Sequence, residues 1–538
     1  MSESEIAIRP GVGGEGISFP PTPEGSASDT PVGASSVAST AKRFAVLLCW
    51  IFSFPAMLGT FLVGRVFVQA RAFAVDPDVW WHIRVGQNIL STHHWPTNDP
   101  FSFTVSGTPW LAYEWLGDVL IGSVERFAGL RGLDALLIIL ASAVMLALYY
   151  YATLRSGNSK AGFSAAVLLC SLAFANFNLR PQMRGYLFLV LTLIALEHFR
   201  RGKSRALWFL PPLFLIWINT HGSWVSGLGV IVVCWACGLA GFHFGSVEAR
   251  RWSPSERLRL EFVFLLCLAT IPLTPYGTRL AAYPFTVAAS LPVNVGNVLE
   301  WFPMPFNVPE GKLFLALALA FFVAQIVVRP VWQLAELALF FFGAMMACLH
   351  ARFLLFFVPF SAPLLAAVFA RWLSPYDRKK DHFVMNAVLM TAVLAAMAWY
   401  FPSRSDLQKA VNQGFPVKAV EYLRQHPVPG PMYNTYGFGG YLVFSRWPEQ
   451  RVFIDGRGDL YEMNGVFSDY LTIANLKAPS FSVLKVYGIR SCVLERKEPL
   501  ATVLARHPDW RQVYADETSV LFVRKTFLAT GGNVASGD

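Results

Sequence analysis

Charged residues are scarce in this chain. Only 14% of its 538 residues are Asp, Glu, Lys or Arg, whereas 54% are hydrophobic. A soluble protein of this length normally carries about 25% charged residues. The composition therefore excludes an ordinary soluble enzyme and predicts a polytopic membrane protein.

Cysteine is also rare, and its placement excludes a disulfide framework. One of the seven cysteines, Cys492, lies in the polar C-terminal part of the chain. The other six lie in apolar runs: Cys49, Cys170, Cys234, Cys237, Cys267 and Cys348. The cysteines say little about the redox compartment.

The distribution of positive charge argues against a nucleic-acid partner. The net charge is +10, but much of the Lys and Arg occurs in short loops between apolar runs. This distribution is the usual orientation signal of a membrane protein.

Eleven apolar runs of roughly 20 residues are predicted to be transmembrane helices. They are 44–64, 133–154, 161–178, 186–199, 207–220, 223–242, 260–275, 311–328, 332–350, 353–371 and 384–401. The sequence therefore predicts a transmembrane domain over residues 41–401. Residues 1–40 are rich in Gly, Ser, Pro and Thr and lack an apolar period, so they are predicted to be a disordered cytoplasmic tail.

Basic loops set the predicted orientation of these helices. Four of the loops that fall on one side open on an arginine: Arg155, Arg200, Arg250 and Arg371. The positive-inside rule makes that side cytoplasmic, and Lys42 and Arg43 place the N-terminus there too. An odd number of helices then places residues 402–538 outside the cytoplasm. We expect a multi-pass protein of the plasma (inner) membrane.

A dense polar and aromatic cluster follows the first predicted helix. It reads AVDPDVWWHIRVG (74–86) and lies in the first external loop, 65–132. Four other polar stretches fall on the same extracytoplasmic side: NLRPQMRG (178–185), INTHGSW (218–224), TPYGTR (274–279) and LHARF (349–353). Because helices of alternating direction bring these stretches to one surface, we expect a functional site there.

Asp76 and Asp78 are candidate catalytic acids of this site. Carboxylates near an apolar boundary are costly unless they face a cavity or a partner. These two could instead cap the short helix that starts near Val79. The neighbouring Trp80 and Trp81 could equally form an interfacial aromatic belt.

Three arginines are candidates for binding a phosphate. Arg180 and Arg184 are four residues apart and share a face if the segment is helical, and Arg352 lies at the end of a predicted helix. Guanidinium groups suit phosphate, but each arginine could instead extend from the interface by snorkelling. His221 is more typical of a hydrogen-bonded interfacial histidine than of a ligand.

The motif DVWWHIR (78–84) resembles the first-loop motif of the oligosaccharyltransferase catalytic subunit, a member of the GT-C superfamily of membrane glycosyltransferases. The resemblance implies that Asp78 takes the place of the catalytic aspartate and Arg84 that of the motif's arginine, a candidate donor-phosphate ligand. The stretch DPFSFTVSGTPWLAYEWLGDVL (99–120) sits where protein O-mannosyltransferases and the lipid A aminoarabinose transferase keep the rest of this loop. Glu114 is the acid that we single out there, as a third catalytic candidate.

A second motif lies in the C-terminal part of the chain. YNTYGFGGYLVFSRWPEQRVFIDGRGDLY (433–461) resembles the WWDYGY region of the oligosaccharyltransferase. It also closely resembles uncharacterised bacterial membrane proteins that carry both WWH and VFIDGR motifs. The candidates for substrate binding are Trp80, Trp81, His82, His221, Tyr436, Asp455 and Arg457. The IDGRGD segment that contains the last two could equally be a structural turn.

Two departures from the oligosaccharyltransferase limit what the resemblance implies. The Trp-Trp-Asp triplet that reads the acceptor peptide is absent, so specificity for an asparagine sequon is not supported. The second external loop, NFNLRPQMRG (176–185), is basic where the oligosaccharyltransferase has acids for its divalent metal. A metal-independent mechanism is therefore favoured, with Mg²⁺ or Mn²⁺ as the alternative, and no metal ligand is predicted.

Residues 402–538 are predicted to form an extracytoplasmic α/β domain, large enough for its own core. FPVKAVEYLRQH (415–426) predicts an amphipathic helix. RVFID (451–455) predicts a buried strand, and WRQVYADETSVLFVRK (510–525) predicts a hairpin.

The sequence thus predicts an α-helical polytopic GT-C-like membrane protein that moves a sugar from a polyprenyl-phosphate donor to an unidentified extracytoplasmic acceptor. Asp78 is the expected general base, the arginines are expected to bind the departing phosphate, and single-step attack would invert the anomeric centre. One alternative is a transporter or flippase for lipid-linked glycans, although polar motifs at one surface and the lack of an internal repeat favour chemistry. The other is a non-catalytic scaffold of envelope polysaccharide assembly.

Overall fold

The computed structural model describes residues 44, 46–70, 76–174, 177–290 and 292–528. Residues Phe52–Asp538 form one compact unit, and every feature below lies within its described part. The predicted N-terminal tail and the orienting residues Lys42 and Arg43 lie outside the described residues.

A helix corresponds to each apolar run that was predicted to cross the membrane. These helices are Phe54–Ala70, Trp115–Ser156, Ser159–Ala173, Gln182–Arg200, Leu210–Ile218 (after the 3-10 turn Ser204–Phe209), Trp224–Cys237, Pro254–Ala269, Pro309–Val327, Leu334–Leu349, Leu354–Phe369 and Phe383–Trp399. Long apolar segments form helices because a helix satisfies its own backbone polar groups. The predicted helical fold class is therefore confirmed.

Fewer of these helices meet the length of a membrane span. Within the described ranges, three are both long and apolar enough: Trp115–Ser156, Pro309–Val327 and Ala351–Phe369, the last including a short 3-10 turn. The bent pair Phe383–Trp399 and Arg404–Gly414 would make a fourth. Five other apolar helices are 10–17 residues long. The count of eleven membrane helices is not confirmed and stays a prediction.

The loops predicted to be cytoplasmic meet at one end of the helices. Arg155 pairs with Glu336, and Arg250 donates a hydrogen bond to the backbone carbonyl of Arg200. A small sheet lies between these loops, formed by β1 (Phe242–Phe244), β2 (Val247–Ala249) and β3 (Trp332–Gln333). Sixteen residues of helix, about 24 Å, separate Arg200 from Arg184. The basic loops and the second external loop thus lie at opposite ends.

The first external loop contains its own helix, Asp78–Thr92, which we call the first-loop helix. It packs against the start of the long helix Trp115–Ser156. A side chain at Gly86 would overlap the backbone carbonyl of Asp118, so glycine allows the two backbones to touch. The long helix then bends at Gly129, whose φ of 57° is in the left-handed region.

The C-terminal domain contains a four-stranded sheet in the order β4-β5-β7-β6. Its strands are β4 (Met432–Asn434), β5 (Ser491–Glu495), β6 (Trp510–Ala515) and β7 (Ser519–Arg524). Its helices are Arg404–Gly414, Val417–Gln425, Tyr436–Arg446, Gly458–Met463, Val466–Ala474, Ser480–Val486, Pro499–Leu504 and Lys525–Leu528. The predicted amphipathic helix and the predicted hairpin, here the antiparallel pair β6 and β7, are confirmed.

The strand predicted for RVFID is wrong. Its backbone bonds go elsewhere, because Val452 donates to the carbonyl of Phe101 and Phe453 donates to the side chain of Asn434. Val452 forms only an isolated bridge, with Ser102 of the first external loop. The segment therefore joins the C-terminal domain to the first loop, and this junction positions the site.

Two further helices, Arg279–Ser290 and Pro292–Asn297, precede the helix Pro309–Val327. The backbone N–H of Val293 donates to a carboxylate oxygen of Glu462 at 2.7 Å. This external segment is thereby connected to the C-terminal domain.

Candidate functional site

The site begins at the first turn of the first-loop helix. Oδ1 of Asp76 accepts a hydrogen bond from the backbone N–H of Asp78 at 2.9 Å. The residue at the cap position of this helix is Pro77, and no side chain caps the helix. The alternative in which the two acids cap the helix is therefore not confirmed, but the bond fixes Asp78 relative to Asp76.

One guanidinium group holds three carboxylates together. Nε of Arg180 lies 2.6 Å from Oδ2 of Asp76, and Nη1 lies 3.0 Å from Oδ2 of Asp78. The same Nη1 lies 3.0 Å from Oε1 of Glu300. We call these four residues the Arg180 cluster. Its members come from three separate segments of the chain, so the cluster forms only in the folded protein.

The C-terminal domain closes one side of Asp78. A Cβ at Gly456 would overlap Oδ1 of Asp78 and would lie 2.9 Å from the indole nitrogen of Trp81. The hydroxyl of Tyr436 donates to the backbone carbonyl of Gly456 at 3.3 Å. Glycine at this position therefore lets the backbone of the domain contact the candidate base directly.

A second group of titratable side chains lies one helical turn away. His82 follows Asp78 by four residues and so shares its helix face. Nδ1 of His82 lies 2.6 Å from Oδ1 of Asp118. Glu114 lies between two histidines, with Oε2 3.8 Å from Nε2 of His82 and Oε1 3.3 Å from Nε2 of His221. We call His82, Glu114, Asp118 and His221 the Glu114 cluster.

Two arginines of the site have no acid within ion-pair distance among the described residues. Arg184 is 5% exposed, and none of its three guanidinium nitrogens has a hydrogen-bond partner there. Arg352 stacks on the ring of Trp301, with its guanidinium carbon 4.1 Å from the ring centroid. A buried cation without a partner is costly. Arg184 is therefore available to an anionic ligand, and Arg352, which is half-buried, lies without an acid beside it among the described residues.

Burial changes the protonation of the site. It raises the pKa of Asp78 to about 7, although Arg180 opposes this shift. It also raises the pKa of Glu114 to about 8 against the opposing charge of Arg184. Burial lowers the pKa of both histidines, His82 well below its usual range and His221 to about 3. Burial thus favours the neutral form of each of these four groups.

Trp80 and Arg84 face the C-terminal domain. Trp80 packs edge-on against Phe415 and Tyr441, and Arg84 donates to the backbone carbonyl of Phe444. Both side chains attach the first-loop helix to the domain. Substrate binding by Trp80 and phosphate binding by Arg84 stay predictions that these positions do not favour.

Asp455 and Arg457 form a buried ion pair on either side of Gly456. Nε and Nη2 of Arg457 donate to the two carboxylate oxygens of Asp455, and its Nη1 donates to Asp99 at 2.7 Å. Tyr461 also donates to Asp455. These bonds engage both side chains inside the protein and support the turn that contacts Asp78. The geometry favours the structural turn, and substrate binding by this pair stays a prediction.

Sequence reasoning missed two acids of the site, Asp118 and Glu300, whereas Asp459 lies in a motif that it had singled out. Asp118 follows Glu114 by four residues, a spacing that puts both on one helix face and could have identified it. Glu300 has no such signal, since it meets Arg180 only in the fold. Asp459 belongs to the IDGRGD motif, and its carboxylate accepts a hydrogen bond from Tyr283.

The acids of the Arg180 cluster do not form a metal centre. Within the part of the chain that the structure describes, no group of three His, Cys, Asp or Glu side chains is arranged to hold a metal ion. Asp76, Asp78 and Glu300 converge, but on the guanidinium of Arg180. A divalent cation therefore does not fit among these carboxylates unless Arg180 moves away.

Comparison with known proteins finds similarity at the level of the fold. No protein-family model and no curated protein match the chain. The apo oligosaccharyltransferase of Archaeoglobus fulgidus aligns with a TM-score of 0.50 and 12% identity over 81% of this chain and 69% of its own. The same enzyme in complex with an inhibitory peptide and a dolichol-phosphate aligns over the same shares with a TM-score of 0.51 and 12% identity. ArnT from Cupriavidus metallidurans bound to undecaprenyl phosphate aligns with a TM-score of 0.46 and 14% identity over 92% and 99% of the two chains. The chain therefore shares the fold of the archaeal oligosaccharyltransferase, the enzyme class whose first-loop motif its own motif resembles.

Proposed function

We propose that this protein is a membrane glycosyltransferase that transfers a sugar from a polyprenyl-phosphate donor to an extracytoplasmic acceptor. The observation that carries the proposal is the buried guanidinium of Arg184, which lacks any hydrogen-bond partner among the described residues and follows Arg180 by four residues. It leaves a cationic position near Glu114 and Asp118, four residues after the arginine that pairs with Asp78. The similar archaeal enzyme forms a complex with a dolichol-phosphate, which is a polyprenyl phosphate.

Asp78 is the general base of the proposed reaction. It accepts the proton of an acceptor hydroxyl while the hydroxyl oxygen forms a bond to the anomeric carbon. The bond from that carbon to the donor phosphate breaks at the same time, so the anomeric configuration inverts. Asp76 and Arg180 hold the carboxylate in position, since Arg180 contacts both acids.

Arg184 and Arg352 bind the departing phosphate. Each is free of acid partners among the described residues, so each retains its full charge for an anion. Guanidinium groups in a desolvated site stabilise developing phosphate charge strongly. Arg180 has a different role from these two, because three carboxylates already share its charge.

We further propose that the reaction needs no divalent metal. This proposal is supported by the position of the Arg180 side chain, which lies among the acids that would otherwise be the metal ligands. A guanidinium group here supplies the positive charge that orients the base. No step of the proposed mechanism passes through a metal ion.

The proposed location is the plasma (inner) membrane, with the N-terminus cytoplasmic and the C-terminal domain outside. The supporting observation is that the basic loops meet at the end of the helices opposite the site. Asp78 and the external domain would then face the compartment that holds the acceptor. The partners are the bilayer, the donor lipid and the acceptor.

The experiment is turnover of a donor panel by the purified full-length protein. Undecaprenyl-phosphate-linked hexoses and pentoses are incubated with the protein in lipid nanodiscs, and release of undecaprenyl phosphate is followed with and without cell-envelope extract as acceptor. We expect slow hydrolysis of at least one donor, accelerated by the extract and absent from Arg184→Gln. If no donor is consumed under either condition, the enzymatic proposal is wrong and the flippase and scaffold alternatives take its place.

A further inference from the structure

His221 lies beside the Glu114 carboxyl group in a defined orientation. The backbone N–H of Ser223 donates to Nδ1 of His221 at 3.1 Å, so this nitrogen carries no proton. A neutral imidazole then has its proton on Nε2, which lies 3.3 Å from Oε1 of Glu114. Trp217 in turn donates to the Ser223 hydroxyl at 3.0 Å. His221 is therefore a positioning residue with a fixed tautomer.

The second oxygen of Glu114 is left for a ligand. His82 is bonded to Asp118 at 2.6 Å, and its other nitrogen is 3.8 Å from Oε2 of Glu114, beyond hydrogen-bond distance. Among the described residues no hydrogen bond engages Oε2. This oxygen can carry a proton and donate it to a group that enters the site.

Arg184, the nearest cation without an acid partner among the described residues, determines where the entering group would bind. A Cβ at Gly117 would lie 2.5 Å from Nη2 of Arg184, and Gly117 follows Glu114 by three residues on the same helix turn. A phosphate bound to Arg184 would therefore lie beside Glu114. In this arrangement the phosphate, rather than the acceptor hydroxyl, is next to Glu114.

We propose that Glu114 is the general acid that protonates the departing phosphate. The inference rests on the proposed function and deepens it. The bond between the anomeric carbon and the bridging oxygen breaks, its electron pair stays on that oxygen, and the proton of Glu114 passes to the phosphate. Asp78 takes the proton of the acceptor hydroxyl. The leaving group departs as a monoanion, and Arg184 and Arg352 bind its remaining charge.

The protonation of Glu114 agrees with this role. Burial raises its pKa to about 8, while Arg184 and Arg180 lower it and Asp459 and Asp78 raise it. The charged and titratable groups that face Glu114 from the surrounding elements are Asp78, His82, Tyr113, Asp118, Arg180, Arg184, His221 and Asp459. A catalytic acid with a pKa near the working pH is efficient.

The test is the pH dependence of kcat/KM for the donor that the wild type consumes fastest. The rate should rise as Asp78 deprotonates near pH 7 and fall as Glu114 deprotonates near pH 8. In Glu114→Gln, kcat should decrease about 100-fold or more, and kcat/KM should no longer decrease at alkaline pH. The donor Kd of this variant should change little. Glu114→Asp should be slower than wild type but keep that fall. Glu125→Gln, on the same helix and bonded to Gln87, is the matched control and should match the wild type.

Each outcome decides a different claim. If the wild-type protein consumes no donor, the proposed function itself is wrong. A Glu114→Gln variant with wild-type kcat, or one that is slow yet still loses rate above pH 8, overturns the role of Glu114 alone. The unfolding temperature of each variant in nanodiscs shows whether a lost rate reflects lost structure.

Discussion

Arg180 and Asp78 form an ion pair of 3.0 Å between the second and first external loops. The two residues are 102 positions apart in sequence, so the pair depends on how the helices that carry the loops pack. Its effect is to fix the candidate base at the junction with the C-terminal domain. A buried pair of this kind orients a carboxylate more strongly than it stabilises the fold.

Gly456 is predicted to be essential for the position of Asp78. In Gly456→Ala the new Cβ would overlap Oδ1 of Asp78 and displace the carboxylate from Arg180. A displacement of about 1 Å at a catalytic group costs about 100-fold in rate, which steady-state kinetics on the chosen donor would measure. Gly414→Ala is the control, since a Cβ there meets nothing within 4 Å. Equal rates for both variants would show that the contact with Gly456 does not position the base.

Gly117 is predicted to control the phosphate site. Gly117→Ala places a Cβ 2.5 Å from Nη2 of Arg184, so the guanidinium must shift. We expect donor Kd to rise about tenfold, equivalent to about 1.4 kcal/mol, as measured by titration of donor into the protein in nanodiscs. Gly229→Ala, on another apolar helix and with no neighbour within 4 Å, should bind donor like the wild type. Unchanged donor affinity in Gly117→Ala would place the phosphate elsewhere.

Metal removal is predicted to leave the rate unchanged. Because the guanidinium group of Arg180 already occupies the position between Asp76, Asp78 and Glu300, dialysis against EDTA should not slow donor turnover, and added Mg²⁺ or Mn²⁺ should not accelerate it. The rates before and after dialysis, with metal content measured by mass spectrometry, test this. A rate that falls with EDTA and returns with Mn²⁺ would contradict the metal-independent mechanism.

The sequence identifies the members of the Arg180 cluster that lie in recognisable motifs, namely Asp76, Asp78 and Arg180. Asp76 and Asp78 precede a tryptophan pair, and Arg180 falls on the same predicted side of the membrane. Topology therefore predicts that they share a surface, whereas their contact depends on how the helices pack. Glu300 cannot be found this way, because it lies in an external segment whose path is set by tertiary contacts. Helix positions were predictable from apolar runs for a similar reason, since hydrophobic segments leave few alternatives to a helix.

The wrong strand assignment and the untested ligand assignment of Arg457 have one physical origin. RVFID reads as a buried strand because its three central residues are apolar, and Arg457 reads as a ligand because charged residues are seldom buried. Both belong to the junction between the first loop and the C-terminal domain, where Val452 pairs with Ser102 and Arg457 with Asp99. A local sequence pattern cannot reveal contacts between residues that are this distant in sequence.

The most direct measurement is the single-turnover rate of Asp78→Asn on saturating donor and acceptor, beside wild type and the exposed control Asp509→Asn. Asparagine keeps the size of the side chain but cannot accept the acceptor's proton. We predict a loss of about 100-fold or more for Asp78→Asn, with donor Kd within a fewfold of wild type and an unaltered rate for Asp509→Asn. Transfer by Asp78→Asn at the wild-type rate would contradict the assignment of the base, and with it the mechanism proposed for this site.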